Sequence, residues 1–223
     1  MYEWRKMTPA QREEALALRK ARHYPWHGPP HLKPDRPESD CTVFHIWAAC
    51  YEHKPVIGRT PQRLTDFENT LLETAKSLTR EVFAWCVLPN HYHLLLQTRE
   101  GEAETREGEV QAREGEGELR RLTAGLGQMH GRLSYQWNGE EAVRGRCVWR
   151  RCSDRGIRSE RHFWATMNYV HHNPVKHGYV KRWQDWPYSS AGAFLGAVGR
   201  KRAEEIWKEY PLLEYGKGWD EFE

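Results

Sequence analysis

The chain of 223 residues has a charged fraction of 29% and a net charge of +3, and it is long enough to bury the core of one ordinary domain. No apolar stretch approaches the roughly 18 residues of a membrane helix, and the charged N-terminus lacks the apolar segment of a signal peptide. The five cysteines form no Cys-x-x-Cys pair, which argues against a disulfide framework or a zinc ribbon and favours a reducing cytoplasm.

Residues 1–40 predict a short helix followed by a proline-rich arm. A β-branched and aromatic stretch at 41–51 predicts the first strand. Residues 60–79 predict a helix, because Thr60 can cap it, Pro61 suits its first position and the apolar side chains keep helical spacing. Residues 80–98 then predict two antiparallel strands joined by a turn at Pro89 and Asn90.

The next stretch is acidic: residues 100–118 hold eight glutamates against two arginines and have almost no apolar side chain. Because such a segment cannot bury anything, we interpret about 99–118 as a disordered or loosely helical insertion. The apolar residues from Leu119 to Trp137 step by three and four, which indicates an amphipathic helix. Residues 144–154 predict a further strand, and a helix begins after Ser159 and ends near Asn173 and Pro174.

This order of elements predicts an α+β fold, in which an antiparallel sheet carries helices on one face. We place the main domain at 41–195 and a C-terminal tail at 196–223. Residues 144–182 hold ten arginines or lysines against two acidic residues, a formal charge of +8; Trp149 and Trp164 lie among them and Trp183 follows directly. This pattern is typical of a protein with a polyanionic partner, although a solvated basic face would look the same.

Two histidines lie two residues apart at the start of the second hairpin strand. Side chains alternate along a strand, so His91 and His93 point to one face and Tyr92 to the other. Two imidazoles on one face can converge on a divalent ion. The alternative is that one or both bond backbone groups near the turn.

The last predicted helix brings a second pair of candidates. At about 100° per residue, Met167 and Val170 belong to an apolar stripe, while Tyr169 and Asn173 lie one turn apart on a neighbouring stripe. An amide oxygen can be a hard metal ligand and a tyrosine hydroxyl can be a nucleophile; packing and a helix stop are the alternatives. Two histidines and one neutral oxygen leave positions for phosphate oxygens, which suggests phosphoryl transfer.

Four stretches carry a resemblance to a known family: LPNHYHLLLQT (88–98), GRCVWRRCSDRGI (145–157), FWATMNYVHHNPVKHGYVKRW (163–183) and DWPYSS (185–190). Together they resemble the single-tyrosine transposases of the IS200/IS605 type, which carry a histidine-hydrophobe-histidine (HUH) motif. The most similar branch is the one associated with repetitive extragenic palindromes (REP). The resemblance spans about residues 41–194.

The resemblance implies a ferredoxin-like sheet with an HUH endonuclease core and Mg²⁺ or Mn²⁺ as the cofactor. It implies that His91, His93 and Asn173 hold the metal. It also implies that Tyr169 cleaves DNA to give a 5′-phosphotyrosine and a free 3′-OH. The expected partner is single-stranded DNA that folds into palindromic hairpins, with no small-molecule substrate and no membrane, and the chain is a monomer or a homodimer.

We also expect DNA contacts from a set of mostly basic residues within and beside the basic stretch: Trp149, Arg150, Arg151, Arg155, Arg158, His172, Lys176 and Lys181. The chain departs from the family pattern at Tyr92, where a plain hydrophobe is usual, and in the acidic insertion. Two other functions stay open. One is a domesticated hairpin-binding protein without transposition, and the other is a metal-dependent nuclease that uses water as its nucleophile.

Overall fold

A computed structural model describes residues 41–99 and 114–212, together with Thr8 and Ala10. The predicted N-terminal helix and arm, most of the acidic insertion (100–113) and the end of the tail (213–223) lie outside the described residues. The stretch from 41 to 212 belongs to one compact unit. Its elements are β1 (Val43–Ala49), α1 (Pro61–Leu78), β2 (Thr79–Leu88), β3 (His91–Thr98), α2 (Glu114–Glu140), β4 (Ser153–Gly156), α3 (Glu160–Lys176) and α4 (Ala191–Glu209). Short 3-10 helices are Tyr51–His53, Ile57–Arg59 and Trp183–Asp185.

The four strands form one antiparallel sheet in the order β2-β3-β1-β4. The chain order β1-α1-β2-β3-α2-β4 with this spatial order is the ferredoxin-like arrangement. The predicted α+β class is therefore confirmed. The two central strands are β1 and β3, so the strand with the histidine pair has a neighbour on each side.

Helices cover both faces of the sheet, which differs from the expectation of helices on one face. Tyr92, Leu94 and Leu96 pack into a core with α1 and α2, whereas Leu95 packs with Met167 and Val170 of α3. The reason is that β3 is buried at nearly every position, so both of its faces need a packing partner.

Helix α1 and the hairpin agree with the sequence prediction in detail. The Thr60 hydroxyl accepts a hydrogen bond from the backbone N–H of Arg63 at 3.1 Å, and Pro61 occupies the first helical position. Leu64, Phe67, Leu71 and Ala75 of α1 are buried. Pro89 and Asn90 form the turn between β2 and β3, which brings His91 to the start of its strand.

Three boundaries differ from the prediction. The strand expected at 144–154 is β4 at Ser153–Gly156, because residues 146–152 instead bond the end of β1 at isolated points such as Arg150 N–H to Ala49 C=O. Helix α2 begins at Glu114, inside the segment interpreted as an insertion. Helix α4 continues across the predicted boundary at 195, and its Ala203 and Ile206 are buried.

No helix of the described ranges combines the length and the apolar character that crossing a bilayer requires.

Candidate active site

The candidate site lies where α3 crosses the start of β3. The rings of His91 and His93 are 5.1 Å apart between centroids, and the ring of Tyr169 is 5.4 Å from that of His93. Asn173 follows Tyr169 by one helical turn and reaches His91. The structure thus brings together the four residues that the sequence analysis placed on separate elements, and all four are buried.

Hydrogen bonds assign the protonation of His91. The side-chain amide of Asn90 donates to the His53 carbonyl at 3.1 Å, so Asn90 Oδ1 faces His91 Nδ1, 2.8 Å away, and accepts its proton. His91 Nε2 therefore presents a lone pair. It lies 3.0 Å from Oδ1 of Asn173, and Nδ2 of the same amide is buried without a hydrogen-bond partner among the described residues.

His93 offers a second lone pair. Its Nδ1 lies 3.1 Å from Nε2 of His45, and its Nε2 is buried without a hydrogen-bond partner among the residues described. Burial lowers the pKa of His93 well below its usual range, and the nearby His91 and His45 lower it further. A neutral imidazole whose Nδ1–H bonds His45 keeps its Nε2 lone pair free for a ligand.

His45 is a residue of this site that the sequence analysis missed. It lies on β1, is completely buried, and stacks on His93 with 5.2 Å between ring centroids. Burial lowers the pKa of His45 to about 3, with smaller effects from the charges of His162 and Arg155. A histidine in the middle of an otherwise apolar, β-branched strand was the available signal.

Lys176 also belongs to this site, which the sequence analysis did not predict. It was expected to contact DNA, but its ammonium group donates to the Tyr169 hydroxyl at 3.4 Å and lies 4.9 Å from the centre of that ring. A cation at this distance stabilises negative charge on the tyrosine oxygen. The ring of His177 lies 4.8 Å from that of His91 and closes the other side.

The donor atoms fit a divalent cation. The described residues contain no cluster of three histidine, cysteine, aspartate or glutamate side chains with metal-binding geometry, so a third ligand has to come from another residue type. Asn173 Oδ1 is such an oxygen, and it already faces a nitrogen lone pair of His91. A cation held by His91, His93 and Asn173 would be bound by two imidazole nitrogens and one amide oxygen.

Tyr92 lies on the opposite face, as strand alternation predicted. It is completely buried, and its hydroxyl lies 3.2 Å from Nε2 of His130. Burial raises the pKa of Tyr92 well above its usual range. Tyr92 is therefore a core residue and cannot reach the histidine pair.

The remaining residues expected to contact DNA are dispersed. Arg151 and Lys181 are exposed, and the Arg150 guanidinium lies over the Tyr51 ring at 5.2 Å. Arg155 pairs with His45 across the β1–β4 ladder, which gives it the same face as the site. Arg158 is half-buried just before α3 begins.

Trp149 does not lie with this group. Its ring stacks on His130 at 4.1 Å and packs near Phe67 at 5.4 Å, on the α1 and α2 side of the sheet. This placement favours packing over DNA contact, because the ring is shared with the core. His172 lies on α3 beside Trp207 of α4, with 5.0 Å between their rings.

Two known proteins are similar to the chain in sequence. A Haemophilus influenzae protein named as a REP-associated tyrosine transposase is 32% identical over 162 residues, which cover 70% of this chain and 85% of that protein. An Escherichia coli K12 protein of the same name is 25% identical over 123 residues, 55% of this chain and 61% of that protein. No protein-family model matches the chain.

One solved structure is described as a REP-associated tyrosine transposase bound to a REP hairpin. It is 21% identical, with a TM-score of 0.42, and the match covers 86% of this chain and 95% of that chain. The identity and coverage of the Haemophilus relative are sufficient to assign the family. The chain therefore belongs to the REP-associated tyrosine transposases and is a DNA-binding enzyme of the transposase class.

Proposed function

We propose that the chain cleaves and rejoins single-stranded DNA next to hairpins, with Tyr169 as the nucleophile. The observation that carries this proposal is the convergence of Tyr169, Lys176 and the His91–His93 pair at one buried place. Family membership supports the use of a tyrosine, and among the described tyrosines Tyr169 is the one whose ring lies against the histidine pair.

The proposed step is an in-line displacement at phosphorus. The Tyr169 oxygen forms a bond to the phosphorus, and the bond between phosphorus and the 3′ oxygen of the preceding nucleotide breaks. The proton that leaves the tyrosine hydroxyl is balanced by the proton that the departing 3′ oxygen gains. The products are a 5′-phosphotyrosine and a free 3′-OH, and attack by such a hydroxyl reverses the step and joins strands.

Lys176 would position the nucleophile, since its ammonium group holds the Tyr169 oxygen by a hydrogen bond and favours its charged form. His45 would hold His93 in the tautomer that points Nε2 into the site. A Mg²⁺ or Mn²⁺ ion held by His91, His93 and Asn173 supplies charge neutralisation on the phosphate oxygens when bound. The basic residues between 144 and 182 would bind the DNA backbone.

Covalent trapping tests the proposal. Purified protein is incubated with Mn²⁺ and a labelled single strand that carries palindromic hairpins, and adducts are resolved under denaturing conditions. We expect an adduct whose modified peptide contains Tyr169. Tyr169→Phe removes one oxygen and keeps the ring, so it should fold and bind DNA but give neither adduct nor cleavage.

Tyr92→Phe is the matched control, because Tyr92 lies one residue from both histidines in sequence but on the other face of the sheet. It should keep wild-type adduct formation. Its stability should fall by about 1–2 kcal/mol, since a buried bond to His130 is lost. If Tyr169→Phe cleaves at the wild-type rate, water is the nucleophile and the chain is a metal-dependent nuclease instead.

A further inference from the structure

A cavity of about 330 Å³ lies beside α3, and the 3-10 helix Trp183–Asp185 and helix α4 form its other walls. Aromatic rings dominate these walls. His172 of α3 faces Trp207 of α4 with 5.0 Å between ring centroids, and Trp183 lines a third side. Trp207 is 36% exposed, so this wall of the cavity reaches the surface.

The cavity also has polar groups. Nδ1 of His172 is buried and has no hydrogen-bond partner within the described ranges. Both nitrogens of an imidazole can take part in hydrogen bonds, one as donor and one as acceptor. Glu204 and Lys208 are exposed residues at the edge of the cavity. A purely apolar occupant would leave His172 Nδ1 unsatisfied.

The position of the cavity relative to Tyr169 is informative. His172 follows Tyr169 by three residues on α3, a spacing that puts their Cβ atoms about 5–6 Å apart. Lys176 follows His172 by four residues and donates to the Tyr169 hydroxyl. The cavity and the candidate nucleophile are therefore neighbours on one helix.

We propose that this cavity binds one base of single-stranded DNA, next to the phosphate that Tyr169 attacks. The inference rests on the proposed function, because it places the DNA strand along α3. Aromatic faces stack on any base, and an imidazole nitrogen can bond the edge of that base. The volume lies at the lower end of ligand pockets, which suits one planar heterocycle, while the exposed Lys208 lines the cavity and can pair with an adjoining phosphate.

Binding to two matched DNA probes tests the inference. One probe is a DNA hairpin with single-stranded thymidine extensions on both ends, and the other is the same hairpin with abasic extensions. Fluorescence anisotropy measures both affinities. Wild-type protein should prefer the base-bearing probe. Trp207→Leu keeps bulk but loses the aromatic face, so it should reduce that preference at least about fivefold.

Two further variants isolate the stacking face. Trp207→Phe retains an aromatic ring and should retain most of the preference. Tyr135→Leu is the control, since Tyr135 is an aromatic residue of α2 that is 86% exposed and does not line the cavity; its preference should equal that of wild type. Equal affinity of wild-type protein for both probes would overturn the inference, as would an unchanged preference in Trp207→Leu.

Photo-crosslinking gives a second readout that does not depend on any variant folding. A probe with 5-iodouracil in its extensions should crosslink wild-type protein to the peptides that contain His172, Trp183 or Trp207. Crosslinks confined to other peptides would overturn the inference. Both measurements report DNA binding and not cleavage. Failure to form a Tyr169 adduct would contradict the proposed cleavage step, but it would not change what the two binding measurements say about the cavity.

Discussion

At the scale of single residues, the site depends on how donor and acceptor atoms are paired. Asn90 uses its two polar atoms on His53 and His91, and this leaves the outer nitrogen of His91 as an acceptor. That nitrogen faces the Asn173 oxygen at 3.0 Å. Nδ2 of Asn173 is buried without a hydrogen-bond partner among the described residues, so turning the amide by 180° would make this contact a hydrogen bond in the metal-free protein. With the oxygen towards His91, the pair presents one nitrogen and one oxygen to a cation.

The metal ligands can be tested one by one. We expect His91→Ala and His93→Ala each to weaken Mn²⁺ binding by at least about tenfold, because imidazole nitrogens would supply two of three protein ligands. Titration followed by electron paramagnetic resonance measures free Mn²⁺ directly. His130→Ala is the control, since this buried histidine packs on the other face of the sheet. Wild-type affinity in both site variants would contradict the assignment.

At the scale of elements, a close contact supports the turn that leads into His91. Gly58 donates its backbone N–H to the Pro89 carbonyl at 2.9 Å. A Cβ added at Gly58 would lie 2.3 Å from the Pro89 Cβ and 2.6 Å from its Cα. Neither atom can move without shifting the turn, so the absence of a side chain at this position is required by packing.

Gly58→Ala should therefore destabilise the protein by about 1–3 kcal/mol, the usual cost of overpacking, measured as the free energy of unfolding in urea. It should also weaken Mn²⁺ binding, because the displaced turn carries His91. Gly127→Ala is the matched control: a Cβ there meets nothing within 4 Å, and alanine favours the helix α2 by up to about 1 kcal/mol. An unchanged free energy of unfolding in Gly58→Ala would show that the turn can shift to accommodate the added methyl group.

At the scale of the whole molecule, one carboxylate ties together three basic residues from separate segments. The Glu141 side chain, only 7% exposed, lies 2.5 Å from Arg63 of α1, 2.7 Å from Arg146 and 2.9 Å from Arg59. The hydrogen bond from Arg146 lowers the pKa of Glu141 to about 2, and the bond from Arg63 adds to it. The network joins the end of α2 to the start of α1 and to the segment that follows α2.

This pKa shift predicts how stability depends on pH. A glutamate carboxyl in the unfolded chain has a pKa near 4.5, so the contribution of Glu141 to stability is complete above that pH and is lost as the pH falls towards 2. Glu141→Gln should lower the free energy of unfolding at pH 7 by on the order of 3 kcal/mol. The variant should also lose less stability than the wild type as the pH falls through the acid range. Glu205→Gln, whose partner Arg202 is 53% exposed, should change stability by less than about 0.5 kcal/mol. Equal effects of the two variants would contradict the prediction.

The charge distribution predicts the salt dependence of DNA binding. Neutralised phosphates release counterions, so log K should fall steeply with log salt, by about 0.7 per phosphate contact on a single strand. Arg151→Gln and Lys181→Gln remove exposed charges of the basic stretch, and each should lower the slope by roughly that amount. Lys54→Gln, which removes an exposed charge paired with Glu52 outside this stretch, should leave it unchanged. A slope near zero for wild type would contradict backbone recognition by this surface.

Local patterns in the sequence determined much of this protein. Alternation along β3 placed His91 and His93 opposite Tyr92, and the helical period placed Tyr169 and Asn173 on one side of α3; both predictions agree with the observed contacts. The α1 cap and the hairpin turn followed from the same short-range rules. These features depend on backbone geometry over a few residues, which the sequence alone specifies.

Only the tertiary structure decided which separate segments meet. His45 became part of the site because β1 pairs with β3, and a residue's neighbour on another strand is set by sheet order and register. Trp149 turned into the core because the docking of the 146–152 segment fixed its direction, whereas Lys176 lies two helical turns after Tyr169 and reaches it along the same face of α3. Coverage of both sheet faces is likewise a property of the assembled layers, since burying β3 on two sides requires helices that lie far apart in the chain.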